Sequence, residues 1–289
     1  MTPKSAGVGS TLVFGASSQI GHCLLPMLDT QGSQVIAVSR SPRRDHDQGA
    51  HWLRGELPVR LHGDFSEIES IACFAPLAAL ATWLSNTPLA ALKRVVATSS
   101  MSAESKRESP VESERALAAS LREGEQALMR ACESRGVACT ILRSTLIYGV
   151  GLDKSLTPIA RRAAKTRVFV LPPGRGLRQP VHAQDVAAAV LAALQTSAAK
   201  GRVIPIGGGE RLTAQEMFAR VRTSLPVRAL ALRLPRFAVQ MAMRTLPFAR
   251  GPLSRLDADL IADNTELEAL LNIHPRGFAP SSETWNPPP

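Results

Sequence analysis

Apolar positions in the first half of the chain fall into short runs, each followed by a stretch with helical spacing. Thr11 to Phe14 reads as a strand, Ile20 to Asp29 as a helix, and Gln34 to Ser39 as a second strand ending in an arginine-rich turn. A third strand is predicted at His51 to Leu57 or at Val59 to Phe65, a further one at Ile71 to Ala75, a helix over Ala78 to Leu84, and another buried strand at Arg94 to Thr98. Strand and helix alternating at this length predict an α/β fold, a doubly wound parallel sheet with right-handed crossovers. Ligands of such sheets sit at the carboxyl ends of the strands.

From Glu112 the pattern changes to one long helix, with Leu117, Leu121, Leu128 and Ala131 as the stripe expected to face the sheet and Gly136 as its stop. A strand follows at Ala138 to Leu142. Beyond Gly149 the texture is less regular: a basic helix near Ile159 to Thr166, a Gly/Pro-rich loop at Pro172 to Gly176, and a helix over Asp185 to Leu194. Thr213 and Glu216 have the spacing of a capping box for a helix running through Arg222. From Leu225 to Arg255, Leu, Met and Phe alternate with arginines and prolines, which fits either a packed amphipathic pair with solvated arginines or a segment lying on a membrane surface.

With 289 residues and 45% apolar content, the chain has enough material for one large domain, or for a large domain with a smaller one appended. The opening MTPKSAGVGS lacks an apolar core of the kind a secretory signal needs, and no apolar stretch is long enough to span a bilayer. A cytoplasmic protein, monomer or homodimer, is the expectation. Cys23, Cys73, Cys132 and Cys139 lack the paired short spacings of zinc or redox motifs, so no metal site is expected. The net charge of +10 fits an anionic partner, but aromatics are not interleaved with the arginines, so a polyphosphate cofactor explains the charge better than nucleic acid does.

The chemistry begins at TLVFGASSQIG, residues 11–21, where a strand runs through a tight Gly/Ser turn into a helix. Such a turn sets backbone N–H groups and a helix N-terminus against a pyrophosphate, which assigns Gly15, Ser17, Ser18, Gln19, Ile20 and Gly21 to cofactor binding. At the end of the second strand stand Ser39, Arg40, Arg43 and Arg44, with no carboxylate before Asp45. An acid there would hold the ribose hydroxyls of NAD(H), whereas guanidinium groups suit the extra phosphate of NADP(H). NADP(H) is therefore preferred, with NAD(H) as the alternative.

Four segments, GASSQIG at 15–21, RVVATSS at 94–100, ILRSTLIYG at 141–149 and QPVHAQDVAAAV at 179–190, together with NIHPRGFAP at 272–280, resemble the short-chain dehydrogenase/reductase superfamily in its extended and atypical branches, among the epimerase/dehydratase-like proteins. The resemblance implies a Rossmann-like NAD(P)-binding domain over residues 11–150 after a flexible stretch 1–10, and a substrate-binding region over 151–289 that partly completes the sheet. Ser18 stands where the family has its middle glycine. The resemblance places Glu56 and Leu57, or else Asp64, beside the adenine. It brings Thr98, Ser99 and Thr145 to the cofactor, and makes Ser100 the catalytic hydroxyl beside the nicotinamide.

The family's catalytic Tyr and Lys, four residues apart on the helix after Ser100, fall at Leu117 and Leu121 when Glu125 is aligned with the family's helix glutamate. The chain's one tyrosine is Tyr148, which reads as a substitute acid or as a packed tyrosine with a bonded tip. Arg175, Arg178 and His182 are substrate-side candidates, His182 pairing with Asp185 to order a loop. Without the phenol and ammonium, removing a proton from an alcohol during hydride transfer loses about a hundredfold or more. A reductase passing hydride from NADPH to a conjugated small molecule is accordingly favoured. A non-catalytic NADP(H) sensor or accessory subunit is the alternative, and a nucleotide-sugar epimerase or dehydratase ranks below both.

Overall fold

Short buried runs rich in Val, Ile and Ala have too few residues for a helix and nothing polar to spare for water, so they pair with one another. In the computed structural model, which describes residues 9–41, 49–58, 61, 63–235, 237, 241 and 256–287, the first such strands are β1 (Thr11–Phe14), β2 (Val35–Ser39), β3 (Ala50–Arg54), β4 (Ser70–Cys73), β5 (Arg94–Ser100) and β6 (Ala138–Ser144). The later ones are β7 (Ile147–Tyr148), β8 (Val168–Leu171), β9 (Leu177–Arg178), β10 (Val181–His182), β11 (Arg202–Ile206), β12 (Leu212–Thr213) and β13 (Leu230–Arg233). Seven of them build one parallel sheet in the order β3-β2-β1-β4-β5-β6-β11. The third strand takes the first of its two expected positions, while Val59, Arg60 and His62 lie outside the described residues. The chain reverses direction across the sheet between β1 and β4, which opens a crevice at their carboxyl ends.

The helices are α1 (Gln19–Thr30), α2 (Leu77–Asn86), α3 (Ser102–Ser105), α4 (Glu112–Glu133), α5 (Leu156–Thr166), α6 (Ala183–Gln195), α7 (Ala214–Thr223) and α8 (Thr265–Leu271). Period-2 alternation sends Val13, Ala37, Ala72, Val96 and Leu142 to one face of the sheet, where α1, α6 and α8 cover them. Leu12, Phe14, Ile71, Val95 and Ile141 face the other way, toward α2 and α4. Because β11 and α6 come from the second half of the chain, that half closes the Rossmann-like sheet. A third core cluster gathers Tyr148, Leu156, Phe169, Met217, Phe278 and Trp285 beneath α5 and α7. The capping box is present: Thr213 accepts from the Glu216 N–H, and the Glu216 carboxylate accepts from the Thr213 N–H.

The stripe on α4 is turned from its expected place. Leu117 is 44% exposed, and the buried side is Glu114, Ala118, Gly124, Glu125, Leu128 and Cys132. Small residues there let the helices close up: a side chain at Gly124 would meet the Ala78 backbone nitrogen at 3.2 Å. The two buried glutamates are tolerated because Glu114 accepts from Ser109 and Glu125 is paired with Arg143. In the ribbon of β8 and β13, Val168, Val170, Leu230 and Leu232 are exposed. Most of the arginine-rich stretch that follows lies outside the described residues. Among the described residues no helix is long and apolar enough to cross a membrane.

Candidate functional site

Gly15 ends β1 at φ +72°, a conformation that L side chains rarely adopt, and an added Cβ would sit 3.1 Å from the Phe74 Cβ. At Gly21 the constraint is packing: a Cβ would meet the Ala16 carbonyl oxygen at 2.3 Å, so only glycine lets α1 lie against the turn. Between them, Ser18 caps α1, its Oγ accepting from the Gly21 N–H at 3.2 Å. The serine in place of a middle glycine thus serves the helix. The first turn of α1 carries no acidic side chain, which leaves its positive end open to an anion.

This turn forms one wall of a cleft of about 740 Å³ at the carboxyl end of the sheet. Gly15, Ser17, Ser18, Gln19, Ser39, Arg40, Glu56 and Leu57, all expected at the cofactor, line it. Ser17 and Ser39 join hydroxyls at 2.8 Å across β1 and β2. Arg40 and Glu56 lie 3.7 Å apart at the exposed rim. Gln19 Oε1 is buried and has no hydrogen-bond partner among the described residues. A buried acceptor left unsatisfied on the wall of a polar cleft is what a bound polar ligand completes, so the residues present fit a dinucleotide. Ile20 and Gly21 lie behind the turn in buried positions. Arg43 and Arg44 lie outside the described residues. Of the two acids weighed for the adenine side, Glu56 is in the cleft, while Asp64 turns back on its own loop, accepting from the Ser66 N–H at 2.9 Å.

Three hydroxyls expected at the cofactor or the reacting carbon are engaged elsewhere. Ser99 donates to Glu125, because residues alternate along β5 and Ser99 faces α4. Thr145 is buried and donates to the Gln179 carbonyl. Ser100 Oγ accepts from the Ser102 N–H at 3.1 Å, at the start of the short α3. Thr98, on the same strand, lines neither this cleft nor the cavity beside it.

The substrate-side expectations also shift. Tyr148 is 2% exposed, edge-on to His182 and Phe278, with its hydroxyl 3.5 Å from the Gly277 carbonyl. Burial raises its pKa, and the residue packs the third core instead of facing the cleft as an acid. His182 caps α6, its Nδ1 accepting from the Gln184 N–H at 3.2 Å. Asp185 holds Arg276 with both oxygens: Oδ1 lies 2.8 Å from Nη2 and accepts from Nε at 2.9 Å, and Oδ2 accepts from the Arg276 backbone N–H at 3.0 Å. Arg175 is exposed and away from the cavities, its N–H bonded to Asp257.

Arg178 does reach a second cavity, of about 410 Å³, beside the cleft. Its guanidinium donates to the carbonyls of Leu177 at 2.8 Å and Ala258 at 2.7 Å. Lys154 lines this cavity and the cleft alike. The sequence reading missed Lys154, along with Phe74, Ala75 and Pro76 at the end of β4. Phe74, Ala75 and Pro76 lie just past the end of β4 beside the reversal of the sheet, the signal that marks them, whereas Lys154 sits on the loop between β7 and α5. Asp153 fixes the loop before α5: its Oδ1 accepts from the N–H groups of Ser155 and Leu156, at 3.0 and 2.6 Å.

Residues 78–207 match the model of the NAD dependent epimerase/dehydratase family. No curated protein matches the chain by sequence. By fold, the chain is similar to MoeE5 in complex with UDP-glucose and NAD, at TM-score 0.70 and 18% identity over 93% of this chain and 94% of that one. It is also similar to UDP-glucuronic acid 4-epimerase from Bacillus cereus in complex with NAD, at TM-score 0.67 and 15% identity over 92% and 93%. A third likeness is to UDP-N-acetylglucosamine 4-epimerase from Bacillus cereus, at 0.67 and 14% over 96% and 93%. The glycine turn, the seven-stranded parallel sheet and the match over residues 78–207 thus agree on a Rossmann-like fold similar to that of the NAD dependent epimerase/dehydratase family.

Proposed function

We propose that the chain binds a nicotinamide dinucleotide along the Gly15–Gln19 turn and performs redox chemistry on a small molecule held in the adjoining cavity. The observation that carries this reading is the buried Gln19 Oε1, without a partner among the described residues, on the wall of a cleft that also presents an acid-free helix N-terminus. The turn and the start of α1 would hold the pyrophosphate. Arg40 supports a preference for NADP(H), because a guanidinium pairs with a phosphate dianion, while Glu56 beside it is suited to ribose hydroxyls. When bound, the dinucleotide supplies the hydride.

Two readings of the reaction divide on proton handling. Leu117 and Leu121 occupy the family's Tyr and Lys places, so this chain has no phenol-ammonium pair there to take a proton from an alcohol. A conjugated acceptor, such as a quinone or enone, spreads incoming charge and collects its proton from water, which favours a reductase. The nucleotide-sugar epimerase or dehydratase, ranked last from the sequence, has the comparisons on its side: the matching family carries that name, and the similar structures are sugar-nucleotide epimerases or hold UDP-glucose. On the comparisons alone it is the better-supported reading.

NADPH oxidation against a panel of quinones and enones, run beside conversion of UDP-glucose and UDP-N-acetylglucosamine followed by NMR, separates the two. Turnover of an enone or quinone supports the reductase, and interconversion of the sugar nucleotides supports the epimerase. Tight NADPH binding with neither activity would leave the non-catalytic sensor.

A further inference from the structure

The cavity beside the cleft is larger than a solvent gap and lies within the range of small-molecule sites, about 300–1,000 Å³. More than half of the residues lining it are apolar, among them Leu146, Leu156, Ile159, Met217, Phe218 and Leu260. Ile159 is 38% exposed, so part of this apolar wall still faces water. The charged groups on the wall are of unequal sign: Lys106, Lys154 and Arg178 against Asp259. Asp259 is already engaged, its Oδ1 accepting from the Leu177 N–H at 2.7 Å.

We infer that this cavity takes an amphipathic monoanion, an apolar body carrying one carboxylate or sulfonate, whose charged end lies at Lys154 on the side shared with the cleft. The apolar wall gains by covering an apolar body, in proportion to the area removed from water. A sugar ring fits this wall less well than an apolar body, since each hydroxyl taken out of water needs a partner and eight of the fifteen lining residues are apolar. The anion requirement follows from Lys154, which lines both the cavity and the cleft. Lys154 makes no ion pair among the described residues, and the Asp153 cap holds the chain on either side of it. The inference deepens the proposed function by naming the substrate class of the same site.

Octanoate, octan-1-ol and UDP-glucose, titrated calorimetrically into the full chain with and without NADPH, test it. Octanoate is expected to bind at least about fivefold tighter than the alcohol of equal length, the difference that an accessible ion pair supplies. Lys154→Gln should weaken octanoate by about that factor and leave octan-1-ol unchanged. Ile159→Ser, a change at a partly exposed position, should weaken both. Equal binding of acid and alcohol, an unchanged octanoate affinity in Lys154→Gln, or tight UDP-glucose with no octanoate binding would each overturn the inference. Octanoate binding to a chain that takes up no dinucleotide would remove the proposed function and leave this inference standing. Dinucleotide binding without octanoate binding would do the opposite.

Discussion

Arg40 and Glu56 face each other at the rim of the dinucleotide cleft, with 3.7 Å between Nη1 and Oε1 and both side chains largely exposed. At that separation in water the pair holds itself weakly, so each group remains available to a ligand. Arg40→Ala should lower NADPH affinity by about tenfold and leave NADH within about twofold. Glu56→Gln should act in the opposite sense, tightening NADPH by removing a like charge from its phosphate and loosening NADH. Fluorescence titration of the reduced cofactors reads both. Equal losses for the two cofactors in Arg40→Ala would refute the assignment of the extra phosphate to this side chain.

Deeper in the molecule, Arg143 grips Glu125 with Nε at 2.9 Å from one oxygen and Nη2 on the other, and Ser99 donates to the same carboxylate. The Glu125 side chain is 4% exposed, so its charge depends on these partners. Arg143→Met should cost about 3 kcal/mol in urea denaturation by leaving that carboxylate buried and unpaired. Adding Glu125→Gln should restore part of the loss. A single variant as stable as the parent would show that the pair does not hold β6 to α4.

Acid should destabilise the fold through His182. Burial, with the positive charge of Arg276 acting in the same direction and Asp185 opposing, holds its pKa below the ordinary 6.5. The unfolded chain therefore takes up this proton first as pH falls. Stability is complete above about 6.5 and drains as pH drops from there toward the folded pKa. His182→Asn keeps an acceptor for the Gln184 N–H but removes the titration. Its Tm should fall less than the parent's between about pH 7.5 and 5.5. Parallel losses in the two proteins would assign the acid sensitivity to other groups.

The expected and observed faces of α4 make different predictions for two leucines. Leu128 is fully buried among Leu80, Leu84 and Ile141, and Leu128→Ala should cost about 2–5 kcal/mol. Leu117, 44% exposed, should tolerate the same change within about 0.5 kcal/mol. Similar costs at both positions would mean that the helix is turned as its leucines alone imply.

That helix also shows where a sequence stops being readable. The strands β1, β2 and β4 to β6 were legible because each is a short apolar run bounded by turn residues, β3 only as one of two positions, and GASSQIG could be placed because its glycines answer to local backbone geometry. The buried side of α4 was not, since Glu114 and Glu125 look like solvent-facing residues until Ser109, Ser99 and Arg143 arrive from other elements to satisfy them. In the same way, Tyr148 reads as either a substitute acid or a packed tyrosine, and the packed reading holds once Phe278 and His182 enclose it. The second cavity was illegible because Lys106, Leu146, Lys154, Met217 and Leu260, each ordinary in its own segment, meet only in the fold.

The central claim is that the cleft at Gly15–Gln19 exists to hold a nicotinamide dinucleotide, and calorimetric titration of the full chain with NADPH, NADP, NADH and NAD tests it most directly. Saturating heat at about one dinucleotide per chain, abolished by Gly15→Val, which forces a β-branched side chain onto a φ of +72° against Phe74, is the predicted result. Absence of heat with all four dinucleotides would contradict it.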